Sequence, residues 1–169
     1  SIEIIESRYP VRIRRYGFVP DTGGPGKHRG ALALTREWEF LQECNFTFRA
    51  DRRRFRPYGL FGGEPGQPSI TYRNPNTENE LLPSKLNTRF KAGDVLSHIT
   101  AGGGGWGDPL ERDPEGVLED CIDEKLSAAH AREAYGVVVD LEHRKVLETE
   151  TRELRKQMGA TRESANTRS

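Results

Sequence analysis

The sequence predicts an α+β fold, in which a mostly antiparallel β-sheet with Gly/Pro-rich loops is followed by short C-terminal helices. Three observations lead to this fold class. Apolar and polar side chains alternate along several segments in the first two thirds of the chain. The 169 residues include 18 glycines and 10 prolines, which favour frequent turns. The last third carries helix-capping residues. We predict a single domain over residues 1–158 and a disordered tail over residues 159–169.

Two long strands open the predicted sheet. In residues 9–19 the apolar parity shifts near Arg15, which predicts a β-bulge there. In residues 32–40 one parity is apolar and the other polar, so we expect one buried and one solvated face. Arg36 interrupts the apolar row and should lie at a sheet edge or beside a carboxylate. The apolar positions are Leu32, Leu34, Trp38 and Phe40, and the polar positions are Thr35, Glu37 and Glu39.

Shorter strands and capped helices complete the predicted fold. Asp113 is expected to cap a helix that begins with Pro114, because proline is favoured at the first helical position. Ser127 is expected to cap a second helix, which Gly136 ends. The short strands are predicted at residues 46–48, 70–72, 95–100 and 137–139, and a polar third helix at residues 149–158.

Composition excludes several classes of protein. The 26 basic and 26 acidic side chains give zero formal net charge, which argues against non-specific nucleic-acid binding. No apolar run approaches the roughly 18 residues of a membrane span, and the first residues do not resemble a signal peptide. Two cysteines, Cys44 and Cys121, are too few for a disulfide scaffold and suggest a reducing cytoplasm. The first residue is Ser1 rather than Met, which suggests a processed chain or a fragment.

An arginine cluster is the first candidate for chemistry. Guanidinium groups suit phosphates and carboxylates, and repulsion among five like charges favours an anion nearby, either a ligand or a partner's acidic surface. The alternative, which we favour, is a solvated loop neutralised by Glu37, Glu39 and Glu43. The cluster consists of Arg49, Arg52, Arg53, Arg54 and Arg56, with Asp51 among them.

A glycine run over residues 102–105 is the second candidate. With Gly107 it satisfies the G-x-G-x-x-G spacing of dinucleotide-binding loops, but that motif must open directly into a helix. A loop follows here, so we reject nucleotide binding at this position. Two alternatives remain: close packing of the backbone, which we favour, and a backbone nest for an oxyanion.

Metal-binding and nucleophile motifs are absent from the sequence. The four histidines lack the i,i+4 spacing of a helical metal site. No serine lies in a nucleophile elbow, and no cysteine has a neighbouring base in sequence. His98 alternates with Leu96 and is interpreted as a half-buried structural histidine. We therefore assign no catalytic residue and no metal ligand.

The order of the loops resembles the C-terminal part of the hydantoinase B family, from about residue 2 to about residue 154. That family includes the B half of ATP-dependent 5-oxoprolinases and N-methylhydantoinases and is related to ketone carboxylase subunits. Each motif is short, and their number and order make the resemblance specific. The motifs are Arg8-Tyr9-Pro10, residues 20–30, Arg36-Glu37, Asp51-Arg52, residues 57–66, Ser84-Lys85, Gly93-Asp94, residues 102–109, Ala131-Arg132 and residues 135–138.

The resemblance implies an activity that needs ATP and partners. An A-type subunit or fused half is expected to bind ATP in an actin-like fold, and the B half to hold a divalent metal and part of the lactam site. Phosphorylation of the amide oxygen would make its carbon electrophilic enough for water to open the ring. The family's metal ligands lie toward the N-terminal part of the B half, which we expect this chain to lack. We therefore expect this chain to bind no cofactor.

The predicted function is that of a C-terminal module of an ATP-dependent hydrolase of 5-oxoproline- or hydantoin-type cyclic amides. It would act in the cytoplasm with the remaining B region and an A-type subunit, without nucleic acid or membrane. One alternative is a non-catalytic assembly domain of a larger hydrolase or ketone carboxylase complex. The other is an anion-binding module that uses the arginine cluster.

Polar loops that match the family are predicted to meet at one end of the sheet and to bind substrate or phosphate. Arg29 or Arg52 is expected to hold a substrate carboxylate or a phosphoryl oxygen. The candidate residues are Arg29, Asp51, Arg52, Gly102, Gly103, Gly104 and Gly105.

Overall fold

The computed structural model of the chain describes residues 1–166, apart from the side chains at 163, 165 and 166. These residues form two compact units. We name them the strand unit and the loop–helix unit. That both belong to the single domain expected over residues 1–158 stays a prediction. No helix in the described part of the chain is long and apolar enough to cross a membrane. The strand unit comprises residues 1–19, 33–57 and 67–102, and the loop–helix unit comprises residues 20–32, 58–66 and those from 103 onward.

Antiparallel strands build the strand unit. They are β1 (Val11–Val19), β2 (Ala33–Phe40), β3 (Cys44–Arg49), β4 (Ile70–Arg73), β5 (Glu80–Leu81), β6 (Lys85–Phe90) and β7 (Val95–Ile99). Five of them form a sheet in the order β1-β2-β7-β4-β5, and β3 pairs with β6 separately. Each of these pairings is antiparallel. The predicted α+β fold with a mostly antiparallel sheet is therefore confirmed.

The bulge predicted in β1 is also confirmed. Ile13 pairs with Trp38 and Arg15 with Glu37, so β1 advances by two residues where β2 advances by one. Arg14 is the extra residue of this bulge. Such a shift moves later side chains to the other face of the strand, which is why the apolar parity changes in the sequence.

The two-faced pattern predicted for β2 is wrong near its start. Thr35, expected on the solvated face, is buried, whereas Leu34 is only half-buried. Thr35 is small and stands between Gly17 of β1 and Ile99 of β7. Its burial shows that polarity alone does not decide which positions of the strand are covered.

Arg36 lies in neither of the predicted environments. It belongs to β2, which is an internal strand of the sheet. Its guanidinium carbon lies 4.6 Å from the centre of the Tyr16 ring and 5.4 Å from that of Trp38. Cation–π contact with these rings, rather than an edge position or a carboxylate, accommodates its charge.

Aromatic rings fill the core of the strand unit. Phe40 and Phe90 are almost fully buried, and their ring centres lie 4.5 Å apart. Phe46 packs edge-on against both, with centre distances of 5.3 and 5.8 Å. Burial of one such ring stabilises the fold by about 1.5–3 kcal/mol. The predicted burial of Phe40 is thus confirmed.

A short N-terminal helix departs from the prediction of strands and turns in the first two thirds. Helix α1 (Ile2–Arg8) precedes β1 and contains no buried residue. The Glu6 carboxylate accepts a hydrogen bond of 2.7 Å from the Ile13 N–H, which ties the helix to β1. A helix of this length shows no repeated apolar stripe, so periodicity could not reveal it.

Capped helices build the loop–helix unit, as predicted. The Asp113 and Ser127 side chains accept hydrogen bonds from N–H groups in the first turns of their helices. Gly136 adopts φ +62° and ends the second helix. The strand expected at residues 137–139 begins only at Val139. The elements are a 3-10 helix (Pro109–Glu111), α2 (Pro114–Ile122), α3 (Ala128–Tyr135), β8 (Val139–Asp140), β9 (Lys145–Val146) and α4 (Glu148–Asn166).

Helix α4 is longer than predicted, and it passes through residues assigned to the tail. It continues beyond Gly159 to Asn166, although glycine costs a helix about 1 kcal/mol relative to alanine. Arg162 donates a hydrogen bond of 2.8 Å to Asp108 and lies 3.5 Å from Glu64, which anchors this last part of the helix. The rest of the predicted tail, residues 167–169, lies outside the described residues.

Candidate functional site

Three glycine-rich segments pack side by side in the loop–helix unit and form what we call the glycine bundle. His28 and Trp106 exchange two backbone hydrogen bonds, of 2.9 and 3.0 Å. The Gly105 N–H donates to the Glu64 carbonyl at 2.9 Å, and the Glu64 N–H donates to the Pro25 carbonyl at 2.7 Å. Each segment is therefore bonded to both others. The segments are residues 23–30, 58–66 and 103–107.

The bundle needs glycine because backbone packs directly against backbone. A Cβ added to Gly104 would overlap the Tyr58 carbonyl oxygen, and one added to Gly105 would overlap that of Pro25. Neither obstacle can move like the end of a flexible side chain. This arrangement supports close packing as the reason for the glycine run.

Most backbone N–H groups of the run already have acceptors. The Gly103 N–H donates to the Ala31 carbonyl at 2.8 Å, and that of Gly105 donates to Glu64. In the strand unit, the Gly102 N–H donates to the Gln67 carbonyl at 3.0 Å. An oxyanion nest would need neighbouring N–H groups that converge on a ligand, so this geometry favours the packing alternative.

Arg29 forms one of two equally buried ion pairs of the loop–helix unit, and both involve Asp120. Its Nε and Nη2 donate to the two carboxylate oxygens of Asp120, at 2.9 and 3.1 Å. Its Nη1 donates to the Gly30 carbonyl at 2.9 Å. Arg112 donates to the same Asp120 at 2.6 Å. An anion that approached Arg29 would therefore compete with a two-pronged carboxylate already in place.

Asp120 escaped the sequence analysis, although the sequence carries a signal for it. It is buried in α2, next to Cys121 and within the apolar face that includes Val117 and Leu118. A carboxylate on the apolar face of a helix predicts a buried cationic partner, because an unpaired charge is costly there. What the sequence could not reveal is which arginines provide the partner.

Asp51 and Arg52 follow β3 in the strand unit. The Ser69 hydroxyl donates to the Asp51 carbonyl at 2.5 Å, and the Ser69 N–H donates to the Arg52 carbonyl at 3.2 Å. Arg52 adopts φ +61°, in the left-handed region that side chains other than glycine rarely occupy. The backbone of this loop is therefore fixed, while both residues line a concavity together with Arg53.

The carboxylates expected to neutralise the arginine cluster are engaged elsewhere. Glu39 accepts a hydrogen bond of 2.9 Å from Arg14, and Glu43 lies 2.6 Å from Arg89. Glu37 accepts a hydrogen bond of 3.2 Å from the Ser97 hydroxyl. The prediction of a loop neutralised by these three side chains is therefore wrong.

An exposed aromatic surface stands on the glycine bundle, and the sequence analysis missed it. Tyr58 and Phe61 are 71% and 79% exposed. The centres of the Phe61 and Trp106 rings lie 5.6 Å apart. The available signal was a set of large apolar residues in loops with no strand or helix periodicity to bury them. The aromatic surface consists of Tyr58, Leu60, Phe61 and Trp106.

Neither cysteine is activated. Burial raises the pKa of the Cys121 thiol to about 11, with help from the charges of Asp120 and Asp21. Burial also raises the pKa of the Cys44 thiol. Both thiols are therefore protonated near neutral pH, which fits the prediction that they are idle.

His98 has the structural role predicted for it. Its Nδ1 forms a hydrogen bond of 2.9 Å with the Thr71 hydroxyl, and its ring packs against Phe48. Among the described residues, no group of three or more His, Cys, Asp or Glu side chains is placed to hold a metal ion. This part of the chain therefore does not fit the divalent metal that the family resemblance implies.

The predicted site residues are divided between the two units. Arg29 and Gly103 to Gly105 belong to the loop–helix unit. Asp51, Arg52 and Gly102 belong to the strand unit. Their meeting at one end of the sheet, and their binding of substrate or phosphate, stay predictions.

Residues 1–109 match the family model described as hydantoinase B/oxoprolinase. This match spans the whole strand unit and the glycine bundle. The chain belongs to the hydantoinase B/oxoprolinase family. The likeness extends past residue 109, since a single relative aligns with 92% of the chain. The resemblance inferred from the order of the loops is therefore confirmed.

Two relatives are named as components of larger enzymes. The putative D-/L-hydantoinase B subunit of Pseudomonas sp. (strain NS671) is 38% identical over 158 residues, which cover 92% of this chain and 26% of that protein. The caprolactamase beta subunit of Pseudomonas jessenii is 32% identical over 146 residues, covering 83% and 25%. The chain thus spans about a quarter of the length of these curated relatives.

Solved structures share the fold. The ATP-dependent caprolactamase from Pseudomonas jessenii superposes with a TM-score of 0.82 at 29% identity, covering 92% of this chain and 28% of that one. Acetone carboxylase in a nucleotide-free structure superposes with a TM-score of 0.72 over 97% of this chain and 27% of that one. At 23% identity, the second likeness concerns the fold alone.

Proposed function

We propose that the chain is the C-terminal module of the B half of an ATP-dependent hydrolase that opens cyclic amides of the 5-oxoproline or hydantoin type. It acts with the remaining B region and with an A-type subunit. The observation that carries this proposal is the agreement of 92% of the chain with an ATP-dependent caprolactamase, at a TM-score of 0.82. The relatives named as a hydantoinase and as a 5-oxoprolinase support the same class of substrate.

An amide needs activation before water can attack it. In the proposed complex, the A-type subunit provides this activation and the B half holds the substrate site. In the proposed reaction, ATP on the A-type subunit supplies the phosphoryl group that activates the amide oxygen. The divalent metal belongs to the rest of the B half, because the described residues here do not fit one. We place the complex in the cytoplasm, where ATP is available and free thiols persist.

The aromatic surface is the proposed docking face for the remaining B region. Its four large side chains stay exposed, on a backbone that the glycine bundle holds rigid. The relatives carry about three quarters of their length outside the region that this chain matches. Burial of apolar area contributes about 25 cal/mol per Å², so a partner that covers these rings gains stability at little ordering cost.

A reconstitution experiment tests this proposal. The chain is co-expressed with the remaining B region and the A-type subunit from its genomic neighbourhood, and ATP-dependent opening of 5-oxoproline, hydantoin and caprolactam is measured by phosphate release. We expect ring opening only when all three polypeptides are present. A Phe61→Ser/Trp106→Ser double variant should weaken co-purification at least about tenfold. Exposed Leu141→Ser, on the same unit but outside the aromatic surface, is the matched control.

The second candidate function is that of a non-catalytic assembly domain. It is favoured by two observations: both thiols are kept protonated, and the described residues hold no metal-binding group. An Arg52→Ala variant of the reconstituted enzyme separates the candidates, whereas Arg29→Ala would also break the buried ion pair with Asp120. If the arginine belongs to the substrate site, the variant should lose turnover while the complex still assembles. If the chain is an assembly domain, the variant should either lose turnover and assembly together or keep both. Full turnover without the chain would contradict both candidates.

A further inference from the structure

A basic concavity of about 490 Å³ opens at the end of the β3–β6 strand pair in the strand unit. Three arginines and one lysine line it, against a single carboxylate. The feature goes beyond the proposed function: Asp51 and Arg52 are predicted substrate- or phosphate-binding residues, but Arg53, Arg54 and Lys85 have no role in the proposed amide hydrolysis or docking. The lining side chains are those of Arg52, Arg53, Arg54, Lys85, Asp51, Phe55, Ser84 and Ala50.

The positive charge of the concavity is not neutralised within the described residues. No carboxylate there forms an ion pair with Arg52, Arg53 or Arg54. Arg49 and Lys85 stand directly opposite each other as the last pair of the β3–β6 ladder. Like charges in that position repel, so this strand pair ends in a region of excess positive charge, with Asp51 as the one carboxylate of the concavity.

Among the described residues, three arginines have a buried guanidinium nitrogen without a hydrogen-bond partner, namely Arg53, Arg73 and Arg112, and of these only Arg53 lines the concavity. The Nη1 of Arg53 is buried and forms no hydrogen bond in the structure. A buried donor without an acceptor is costly, and native proteins rarely leave one. A bound oxyanion would supply the missing acceptor.

The backbone around the concavity is held in place before any ligand arrives. The Ala50 N–H donates to the Ser84 carbonyl at 2.7 Å, and Ser69 holds the carbonyls of Asp51 and Arg52. Arg52 is kept in the left-handed region at φ +61°. Backbone strain of this kind persists where the surroundings enforce it, and it clusters at binding sites.

We propose that this concavity, which we call the basic concavity, binds the phosphate groups of a polyphosphate ligand. Four cations against one carboxylate require an anion with several charges, and phosphate oxygens match guanidinium forks with two hydrogen bonds each. The volume of about 490 Å³ accommodates more than one phosphate group. The exposed Phe55 ring, 5.6 Å from the Arg54 guanidinium carbon, provides a flat apolar border to the site.

Calorimetric titration of the full chain tests the proposal, with inorganic triphosphate and ATP as the two probes. We expect triphosphate to bind at about 50 mM salt and to weaken markedly at about 200 mM, because phosphate binding by exposed cations is screened. Equal affinities for triphosphate and ATP would show that the phosphate groups alone are recognised. Tighter binding of ATP would show that the base and ribose are contacted as well. The absence of binding by both probes at low salt would overturn the proposal.

Charge-matched variants locate the site. Arg53→Gln and Arg54→Gln should each lower the triphosphate affinity at least about tenfold, because each removes a charged fork. Arg12→Gln is the matched control, since Arg12 is an exposed arginine of the same unit outside the concavity. Loss of affinity equal to that of the control would overturn the assignment. Thermal melts without ligand verify that each variant is folded.

An acidic protein segment is the competing occupant, and the reconstituted complex distinguishes it. If the chain alone binds triphosphate but the complex with the remaining B region does not, a partner's carboxylates fill the concavity and the phosphate proposal is overturned. Retention of binding in the complex supports it. Triphosphate binding is measured independently of ring opening. The phosphate proposal can therefore be overturned while the proposed hydrolase function holds.

Discussion

The strand unit and the glycine bundle of the loop–helix unit reach close packing by opposite means. In the strand unit, Phe40 and Phe90 stack at 4.5 Å and side chains fill the space between strands. In the glycine bundle, Gly104 and Gly105 bring backbone into contact with backbone and no side chain lies between. A side-chain core can adjust through rotamers, whereas a backbone contact leaves no such freedom.

The difference has a consequence for surfaces. A bundle closed by main-chain hydrogen bonds does not need its large side chains inside, so Tyr58 and Phe61 remain exposed on a rigid support. The strand unit buries Phe40, Phe48 and Phe90 in its core, leaves Phe18 and Phe55 exposed, and also shows a charged concavity. The comparison teaches that a bundle closed by main-chain hydrogen bonds can leave its aromatic residues exposed, which is what the proposed docking face requires.

The largest expected effect is on glycines, where the two units should respond in opposite ways. Gly104→Ala should lower the free energy of unfolding by about 3 kcal/mol or more, because the new methyl group overlaps the Tyr58 carbonyl. Gly17→Ala in β1 has open space around it and should be neutral or stabilising by less than about 1 kcal/mol. Urea unfolding followed by circular dichroism measures both. Equal free energies of unfolding for the two variants would mean that the glycine bundle can shift to accept the methyl group, which would contradict the argument from backbone contact.

A second comparison concerns ion pairs. Asp120→Asn should destabilise the protein by about 3 kcal/mol, because it leaves Arg29 and Arg112 without their shared, buried carboxylate. Glu39→Gln, which removes a carboxylate paired with the more exposed Arg14 in the strand unit, should cost clearly less. Urea unfolding at low and high salt measures both losses. Salt should shrink the Glu39 effect and leave the Asp120 effect almost unchanged, and the reverse order would contradict this assignment of burial.

Local patterns predicted parts of both units, and they did so where neighbours in sequence decide the structure. The parity shift at Arg15 marked the bulge, and the capping residues Asp113 and Ser127 marked two helix starts. Burial of Thr35 depended instead on strands distant in sequence, and so did the aromatic partners of Arg36.

The candidate site was less predictable, for a related reason. The arginine cluster was visible in sequence, but the engagement of Glu39 and Glu43 elsewhere follows from tertiary contacts. The glycine run could be interpreted as packing, yet its contacts with the Tyr58 and Pro25 backbones lie far along the chain. A single sequence carries no direct signal for such contacts.

The smallest expected effects come from pH, and they should separate the two units. In the strand unit, burial chiefly lowers the pKa of His98 below its usual 6.5, and Arg36 adds to this. As pH falls below about 6.5, His98 becomes protonated in the unfolded chain but stays neutral in the folded one. The free energy of unfolding therefore decreases as pH falls below about 6.5. In the loop–helix unit, the pKa of Cys121 is raised to about 11. The unfolded thiol ionises first, so stability is lost as pH rises from about 9 to about 11.

Two tryptophans can report these changes separately, because Trp38 lies in the strand unit and Trp106 in the loop–helix unit. In Trp106→Phe, the fluorescence of Trp38 should give a lower urea midpoint at about pH 5.5 than at about pH 7.5. In Trp38→Phe, the fluorescence of Trp106 should give a lower urea midpoint at about pH 9.5 than at about pH 7.5. Adding His98→Gln should remove the acid change and leave the alkaline one, and adding Cys121→Ala should do the opposite. Coincident midpoints for both reporters at every pH would mean that the units unfold as one cooperative body, in which case the contrast in their packing does not extend to separate stabilities.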